Sequence, residues 1–317
     1  MAKTTAEVIR EITSNHLLNN NGLMFGQSLK GAGWLGGTIP NCEGLVDLPI
    51  TDIAGPGFAV GAALMNIRPI FLVRYQGFLW LNASPLINYA AKSLSIWNRP
   101  CPLFIRAVGM EGDGIGPVAS GCLHSIFMHP PGMKVVAPMT PGEYQNVWDD
   151  FHSNECPVFV SEHRSSYSIS EEMPDIINQK SKITIMAISA ARLNALEAID
   201  ELAKEGIECD IFHIVNLKPF ETSDQLINSL NSTKLGLVID TDFETCGASQ
   251  SISYDLMLKT GAKIYGYGLA DKVSGVSKET ENLTPSKFEI EDKIKGNSEL
   301  VEEILMNPDQ QNPEEEK

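Results

Sequence analysis

The chain has 317 residues, of which 43% are hydrophobic and 20% charged, and a formal net charge of −16. That length and composition describe a globular protein with room for two domains, each with its own core. The acidic balance argues against nucleic acid and anionic membranes as partners, because phosphates would be repelled, and the sequence holds no run of about eighteen apolar residues to cross a bilayer.

Thr5–Leu17 sets Val8, Ile9, Ile12 and Leu17 at helical spacing, which predicts an amphipathic helix rather than a secretory signal. Asn19–Gly22 breaks it, and Leu23–Phe25 is expected as a first buried strand. GQSLKGAGWLGGTIPNCEG follows, with six glycines and a proline in nineteen residues, the composition of a long functional loop. The next stretch, LVDLPITDIAGPGFAVGAALMN (45–66), is the one around which the chain is organised. It opens as a strand, Leu45–Ile50, passes through Thr51 and Asp52, and enters a helix. The small residues Ala59, Gly61, Ala62 and Ala63 predict that this helix packs closely against a neighbour. Asp52 is thus expected at the carboxyl end of a strand beside a helix amino terminus, where open α/β sheets hold ligands. The alternative is that Thr51 or Asp52 merely caps the helix.

Arg68–Arg74 is a third strand, continuously apolar in its middle as a strand buried on both faces should be. Tyr75–Lys92 begins with aromatics at 75, 78 and 80 and turns helical through Leu86, Ile87, Ala90 and Ala91. Pro102–Val108 and Lys134–Ala137 are strands, Thr140–Glu143 is a capping box that starts a helix, and Cys156–Ser161 closes the first half. Polar residues 168–182 form a linker. The second half repeats the order with strand Ile183–Ile188, helix Ala190–Lys204, strand Glu208–Val215, a helix near Ser223–Leu230, strand Leu235–Asp240 and helix Ile252–Leu258. Strands alternating with helices predict an α/β protein of two open, mostly parallel, doubly wound sheets. The domains are expected at 1–175 and 176–306, with a disordered acidic tail at 307–317. The second half has few titratable groups at its predicted strand ends, so the chemistry is sought in the first.

The six cysteines, at 42, 101, 122, 156, 209 and 246, are scattered without a CxxC pair, which fits reduced thiols in a cytoplasmic protein and neither a disulfide framework nor a zinc site. Gly112-Asp113-Gly114 begins the thiamine diphosphate and Mg²⁺ signature, but the asparagines that complete it are missing downstream, so the diphosphate site is not placed here. His124 and His129 have no carboxylate at metal-ligand spacing, and each reads first as a structural histidine. Tyr75, Phe78 and Trp80 fall just past a strand end, level with Asp52, where an aromatic packs on a flat heterocycle or simply joins the core.

Taken in order, these segments resemble the β subunit of the thiamine-diphosphate-dependent 2-oxoacid dehydrogenases and, more broadly, the pyrimidine-binding and carboxy-terminal domains of the transketolase superfamily. VDLPITDIAGPGFAVGAAL resembles the family's strand–Ile-Ser-Glu–helix segment, and RPIFLVRYQGFLWLNASPLINYAAK its strand, aromatic turn and helix. PPGMKVVAPMTPGEY resembles Pro-Gly-Leu-Lys-Val-Val-x-Pro, CPVFVSE the strand after it, and AKEGIECDIFHIVNLKPF the helix–strand–Pro segment of the carboxy-terminal domain. The resemblance covers about residues 5–295.

The resemblance implies a β-type subunit that supplies one side of a thiamine diphosphate site. A separate α subunit would hold the diphosphate and Mg²⁺ in an α₂β₂ heterotetramer, with a lipoyl-bearing acyltransferase core as a further partner. Asp52 matches the glutamate that meets N1′ of the aminopyrimidine, Ile50 lines the ring, Phe78 packs on it beside Tyr75, and Gln27 stands where the family has an acidic residue. His124 matches a histidine facing the substrate or the lipoyl acceptor. Aspartate in place of glutamate shortens the acid by one methylene, roughly 1.5 Å. The implied reaction is decarboxylation of a 2-oxoacid with transfer of the acyl or aldehyde fragment. The alternatives are the carboxy-terminal half of a split transketolase, which moves two-carbon ketol units, and a non-catalytic scaffold or regulatory subunit.

Overall fold

The computed structural model describes residues 2–31 and 35–296; the acidic tail expected at 307–317 and the end of the second expected domain lie outside them. The first elements are α1 (Thr5–Asn19), β1 (Met24–Gln27), β2 (Leu45–Leu48), α2 (Ala54–Leu64), β3 (Ile70–Val73), α3 (Leu79–Pro85), α4 (Ser93–Trp97) and β4 (Phe104–Gly109). Next come α5 (Ser125–Met128), β5 (Lys134–Val136), α6 (Pro141–Ser153), β6 (Val158–His163), β7 (Ile183–Ile188), α7 (Ala191–Lys204), β8 (Cys209–Ile214) and β9 (Asn216–Lys218). The last described elements are α8 (Asp224–Thr233), β10 (Leu235–Phe243), α9 (Ala248–Thr260), β11 (Lys263–Leu269) and α10 (Lys287–Gly296). It divides into two compact units, the first comprising Met1–Met173, Val215–Glu221 and Ala270–Leu283, the second the rest.

In the first unit a sheet of order β2-β1-β3-β4-β6-β5-β9 is parallel except for β9, which pairs antiparallel with β5 at one edge. The sequence reading did not contain β9, a three-residue strand directly after β8. β3, β4 and β6 are buried along their whole length; β3 is accordingly an unbroken apolar run, while β4 and β6 also carry buried polar and charged side chains. Capping boxes start α1 (Thr4 with Glu7) and α6 (Thr140 with Glu143), and Phe104, Trp148 and Phe151 pack edge-on or tilted between α6 and the sheet. The aromatic-to-helix stretch 75–92 is less regular than expected. Pro85 cannot donate a helical hydrogen bond, α3 ends on it, and a single π turn over Leu86–Ala90 carries the chain on. In α2 the small residues divide into two faces. Ala59 and Ala63 are fully buried, whereas a side chain added at Gly57 or Gly61 would meet nothing, so half of the expected close-packing face looks outward.

A charged cluster lies in the core of this unit. Arg106 on β4 forks onto Glu162 on β6 (Nε–Oε2 2.8 Å, Nη2–Oε1 2.7 Å), and Arg106 Nη2 also donates to Thr38 at 3.0 Å. Tyr144 donates to Glu162 at 2.9 Å and Tyr167 donates to its other oxygen. Burial opposes the charge on Glu162, but Arg106 and the two hydroxyls outweigh it and hold the carboxyl below its ordinary value. Burial likewise opposes the Arg106 cation, and the Glu162 charge reverses that effect.

The second unit is a parallel sheet of order β11-β10-β7-β8 with α7 and α10 among its helices. Its strand ends are more charged than the sequence suggested. Arg192, Asp240 and Asp242 are buried there, and Arg192 Nε donates to His213 Nδ1 at 3.1 Å.

Candidate active site

β1 and β2 run parallel with Gln27 opposite Leu48, so the turn after Leu48 emerges beside the end of β1. In that turn Thr51 Oγ1 donates to the Pro49 carbonyl (3.1 Å), and the cap of α2 is Ile53, which has no side-chain cap hydrogen bond. The capping alternative for Thr51 and Asp52 is therefore not what the chain adopts. Gln27 Nε2 instead donates to Asp52 Oδ1 at 3.0 Å, and the buried Asn82 of α3 donates to the Asp52 backbone carbonyl. A carboxylate and its backbone are thus both held, from β1 and from α3.

Gln27, Asp52, Phe71, Arg74, Phe78 and Asn82 line one small cleft at the carboxyl ends of the first three strands. Tyr75 stands outside this lining but packs on Phe78, ring centroids 6.1 Å apart. Ile50 does not touch the cleft and is 87% exposed; Ile53 and Phe58, soon after Asp52, and Trp80, between the cleft residues Phe78 and Asn82, are also largely exposed. A larger concavity, about 950 Å³, lies elsewhere, along α1 and α6, and contains none of these residues.

His124 is fully buried and stands apart from the cleft. Its Nδ1 lies 3.0 Å from Ser161 Oγ, which also accepts from Gln76 Nε2 at 2.9 Å; Gln76 Nε2 reaches the Ala107 carbonyl (3.1 Å), and its Oε1 accepts from Leu123 N–H (2.7 Å). Sequence reasoning missed Gln76, Arg74 and Asn82. Gln76 and Arg74 carry one local signal, their position just past the end of a buried strand; Asn82 carries none.

At the end of β6, His163 is almost fully buried, its Nδ1 accepts from Ser165 N–H (3.2 Å), and its Nε2 has no partner among the described residues. Burial pushes its imidazole down to about 4 from 6.5. The folded state binds the neutral ring, so this contribution to stability is complete above pH 6.5 and declines as the pH falls toward 4. Between pH 6.5 and 5 the loss is about 2 kcal/mol. Urea unfolding at the two pH values should report it for the native chain, and His163→Gln should reduce the slope, leaving the smaller share of His16 and His152, which burial also lowers; equal slopes would contradict it.

The transketolase pyrimidine-binding domain model matches residues 32–169, and the transketolase carboxy-terminal domain model residues 158–284. A pyruvate dehydrogenase E1 component β subunit from Staurastrum punctulatum is 30% identical over 226 residues, 67% of this chain and 69% of that one. The chain belongs to the pyruvate dehydrogenase E1 β-subunit family. Another relative of this E1 β-type chain is the β subunit of acetoin:2,6-dichlorophenolindophenol oxidoreductase from Cupriavidus necator. It is 29% identical over 66% of this chain, and the match spans 65% of that subunit's length. Among solved structures, one titled split gene transketolase, inactive β4 tetramer, superposes with a TM-score of 0.71 at 17% identity, covering 95% of this chain and 99% of that one. Transketolase from Campylobacter jejuni superposes with the same score at 16% identity, over 93% of this chain and 47% of that one. At those identities the structural likeness speaks for the fold.

Proposed function

We propose that this chain is the β-type subunit of a thiamine-diphosphate-dependent enzyme that decarboxylates a 2-oxoacid and passes on the acyl or aldehyde fragment, working with a separate α subunit. The observation that carries this reading is the Asp52 carboxylate, held by Gln27 in a cleft that Phe78 also lines. The residues fit the aminopyrimidine half of the cofactor: a carboxylate to meet a protonated ring nitrogen and an aromatic face for a flat heterocycle. Bound thiamine diphosphate supplies the electron sink that decarboxylation of a 2-oxoacid needs. Gln27 fixes Asp52 Oδ1 and Asn82 fixes its backbone, so the carboxylate would be the group that meets the pyrimidine nitrogen of the bound cofactor. Phe78, braced by Tyr75, would pack against the ring, while Ile50, outside the cleft lining and exposed here, would border it only in the assembled complex. The resemblance assigns His124 to the substrate or acyl acceptor; it is held at Nδ1 by Ser161 and is fully buried in this chain, so it would take that role only if assembly with the α subunit uncovers it.

The exposed side chains of Ile50, Ile53, Phe58 and Trp80, with the open Gly57 and Gly61, support an α subunit that docks beside the cleft. That subunit holds the diphosphate and Mg²⁺ in an α₂β₂ heterotetramer, and a lipoyl-bearing acyltransferase core receives the acyl group. No helix among the described residues is long and apolar enough to cross a membrane. The free cysteines support a cytoplasmic location, while the relatives include a mitochondrial subunit from Rattus norvegicus.

Titrating thiamine diphosphate with Mg²⁺ into the chain alone and into the chain with its α subunit tests the split site. Binding should tighten at least about 100-fold on assembly, a difference near 2.7 kcal/mol. Equal affinity with and without the partner would overturn the reading.

A further inference from the structure

The glycine-rich stretch 110–121, set aside above as a diphosphate site, forms a closed loop. Met110 and Gly121 pair as an isolated antiparallel bridge, with Gly121 N–H on the Met110 carbonyl at 2.6 Å. Gly112, Gly114, Gly116 and Gly121 all have positive φ, so the loop takes a path open to few other residues. Two neighbours fix it.

One neighbour is the turn after β3. A Cβ on Gly77 would lie 1.8 Å from the Val118 carbonyl oxygen, so the loop backbone rests directly on the residue before Phe78. Gln76 also receives Leu123 N–H, just past the loop's closing bridge.

The other neighbour is the segment 270–283, which packs as part of the same unit. Asn282 Nδ2 donates to the Ala270 carbonyl (2.8 Å) and the Lys272 carbonyl (3.0 Å), which holds the segment's own shape. Glu281, only 5% exposed, then reaches both arms of the loop: Gly114 N–H donates to Oε2 and Ser120 Oγ–H to Oε1, each at 3.0 Å. The backbone around Lys278 lies against Gly114, 3.0 Å from where a Cβ would stand. The Lys278–Asp113 pair at 3.7 Å is exposed and adds little.

We infer that Glu281 is a positioning residue for the cofactor cleft: by clasping both arms of the 110–121 loop it presses that loop onto Gly77 and so sets the place of Phe78. The inference rests on the cleft being the cofactor's pyrimidine site, as proposed above. A buried carboxylate with two charge-assisted hydrogen bonds is a firm tie, and Gly77 leaves no gap for the loop to shift without moving the turn.

Hydrogen–deuterium exchange on the full chain reads the tie without cofactor. Glu281→Ala should speed exchange of peptides spanning 112–121 and also 75–82 by roughly tenfold, as expected for loss of a charge-assisted pair of bonds. Glu281→Gln should stay near the native rates, since its carbonyl accepts from Gly114 while its amide donates to the Ser120 oxygen. Should Glu281→Ala fail to fold, Ser120→Ala removes one arm and should give a smaller rise in the same two peptides. In the complex with the α subunit, Glu281→Ala should raise the thiamine diphosphate Kd about tenfold, and Glu281→Gln should leave it near the native value. A rise confined to 112–121 and 277–283, with 75–82 and the Kd unaltered, would overturn the clasp. Absence of cofactor binding by the native complex would instead overturn the proposed function, and the exchange result would still judge Glu281.

Discussion

Asp52→Ala is expected to lower CO₂ release from 2-oxoacids by the assembled enzyme about 10²–10⁴-fold, the range that a positioned acid–base group supplies. The magnitude follows from how the side chain is held. Its Oδ1 is occupied by Gln27 Nε2 at 3.0 Å and its carbonyl by Asn82, so Asp52 meets a ligand in one orientation. Alanine keeps the turn, because no side-chain cap of α2 depends on the carboxylate. The variant should therefore fold, assemble and bind cofactor while turning over poorly. The measurement is kcat for CO₂ release by native and variant complexes alongside their melting temperatures; a variant within about threefold of native would move the proton transfer to another group.

Glu162→Leu should cost the first unit about 3–5 kcal/mol, the largest loss of stability expected from a single side chain here. It strands the buried Arg106 cation, whose Nη1 already lacks a partner among the described residues, and leaves the Tyr144 and Tyr167 hydroxyls without their acceptor. Against total stabilities of about 5–15 kcal/mol, that is a large share of what keeps a domain folded. Exchanging both partners removes the uncompensated charge, so Arg106→Met with Glu162→Leu should be less destabilised than Glu162→Leu alone. Urea unfolding of the native chain and of the two variants provides the comparison. A single-variant cost under about 1 kcal/mol would mean that the guanidinium finds water when its partner is lost.

The parallel sheets were legible because strands buried on both faces leave uninterrupted apolar runs; Ile183–Ile188 emerges with the predicted bounds. Thr140 and Glu143 likewise announced α6 through an N-terminal capping pattern that the chain adopts. β11 was missed because KIYGYGL is cut by glycines. One of them, Gly266, is needed where a Cβ would stand 3.2 Å from the α9 backbone. α10 was missed because only Ile290 and Ile294 anchor an otherwise charged helix. Asp52, Gln27 and Phe78 were singled out through family resemblance, and the structure gathers these three around one cleft. The residues that hold them were not found. Asn82, Gln76 and Glu281 act across 30, 47 and 167 positions of chain, and no periodicity or spacing encodes a hydrogen bond between segments so distant. His124 shows the converse: its identity was readable in the sequence, but its burial against Ser161 was not.

Exchange of the thiamine diphosphate C2 proton with D₂O, followed by quenched-flow NMR on the chain assembled with its α subunit, tests the central role of Asp52 most directly. The native complex should exchange that proton rapidly, and the Asp52→Ala complex, with cofactor bound, should exchange it no faster than cofactor free in buffer. Native-rate exchange in the variant would contradict the account and leave Asp52 a structural residue at the mouth of the cleft.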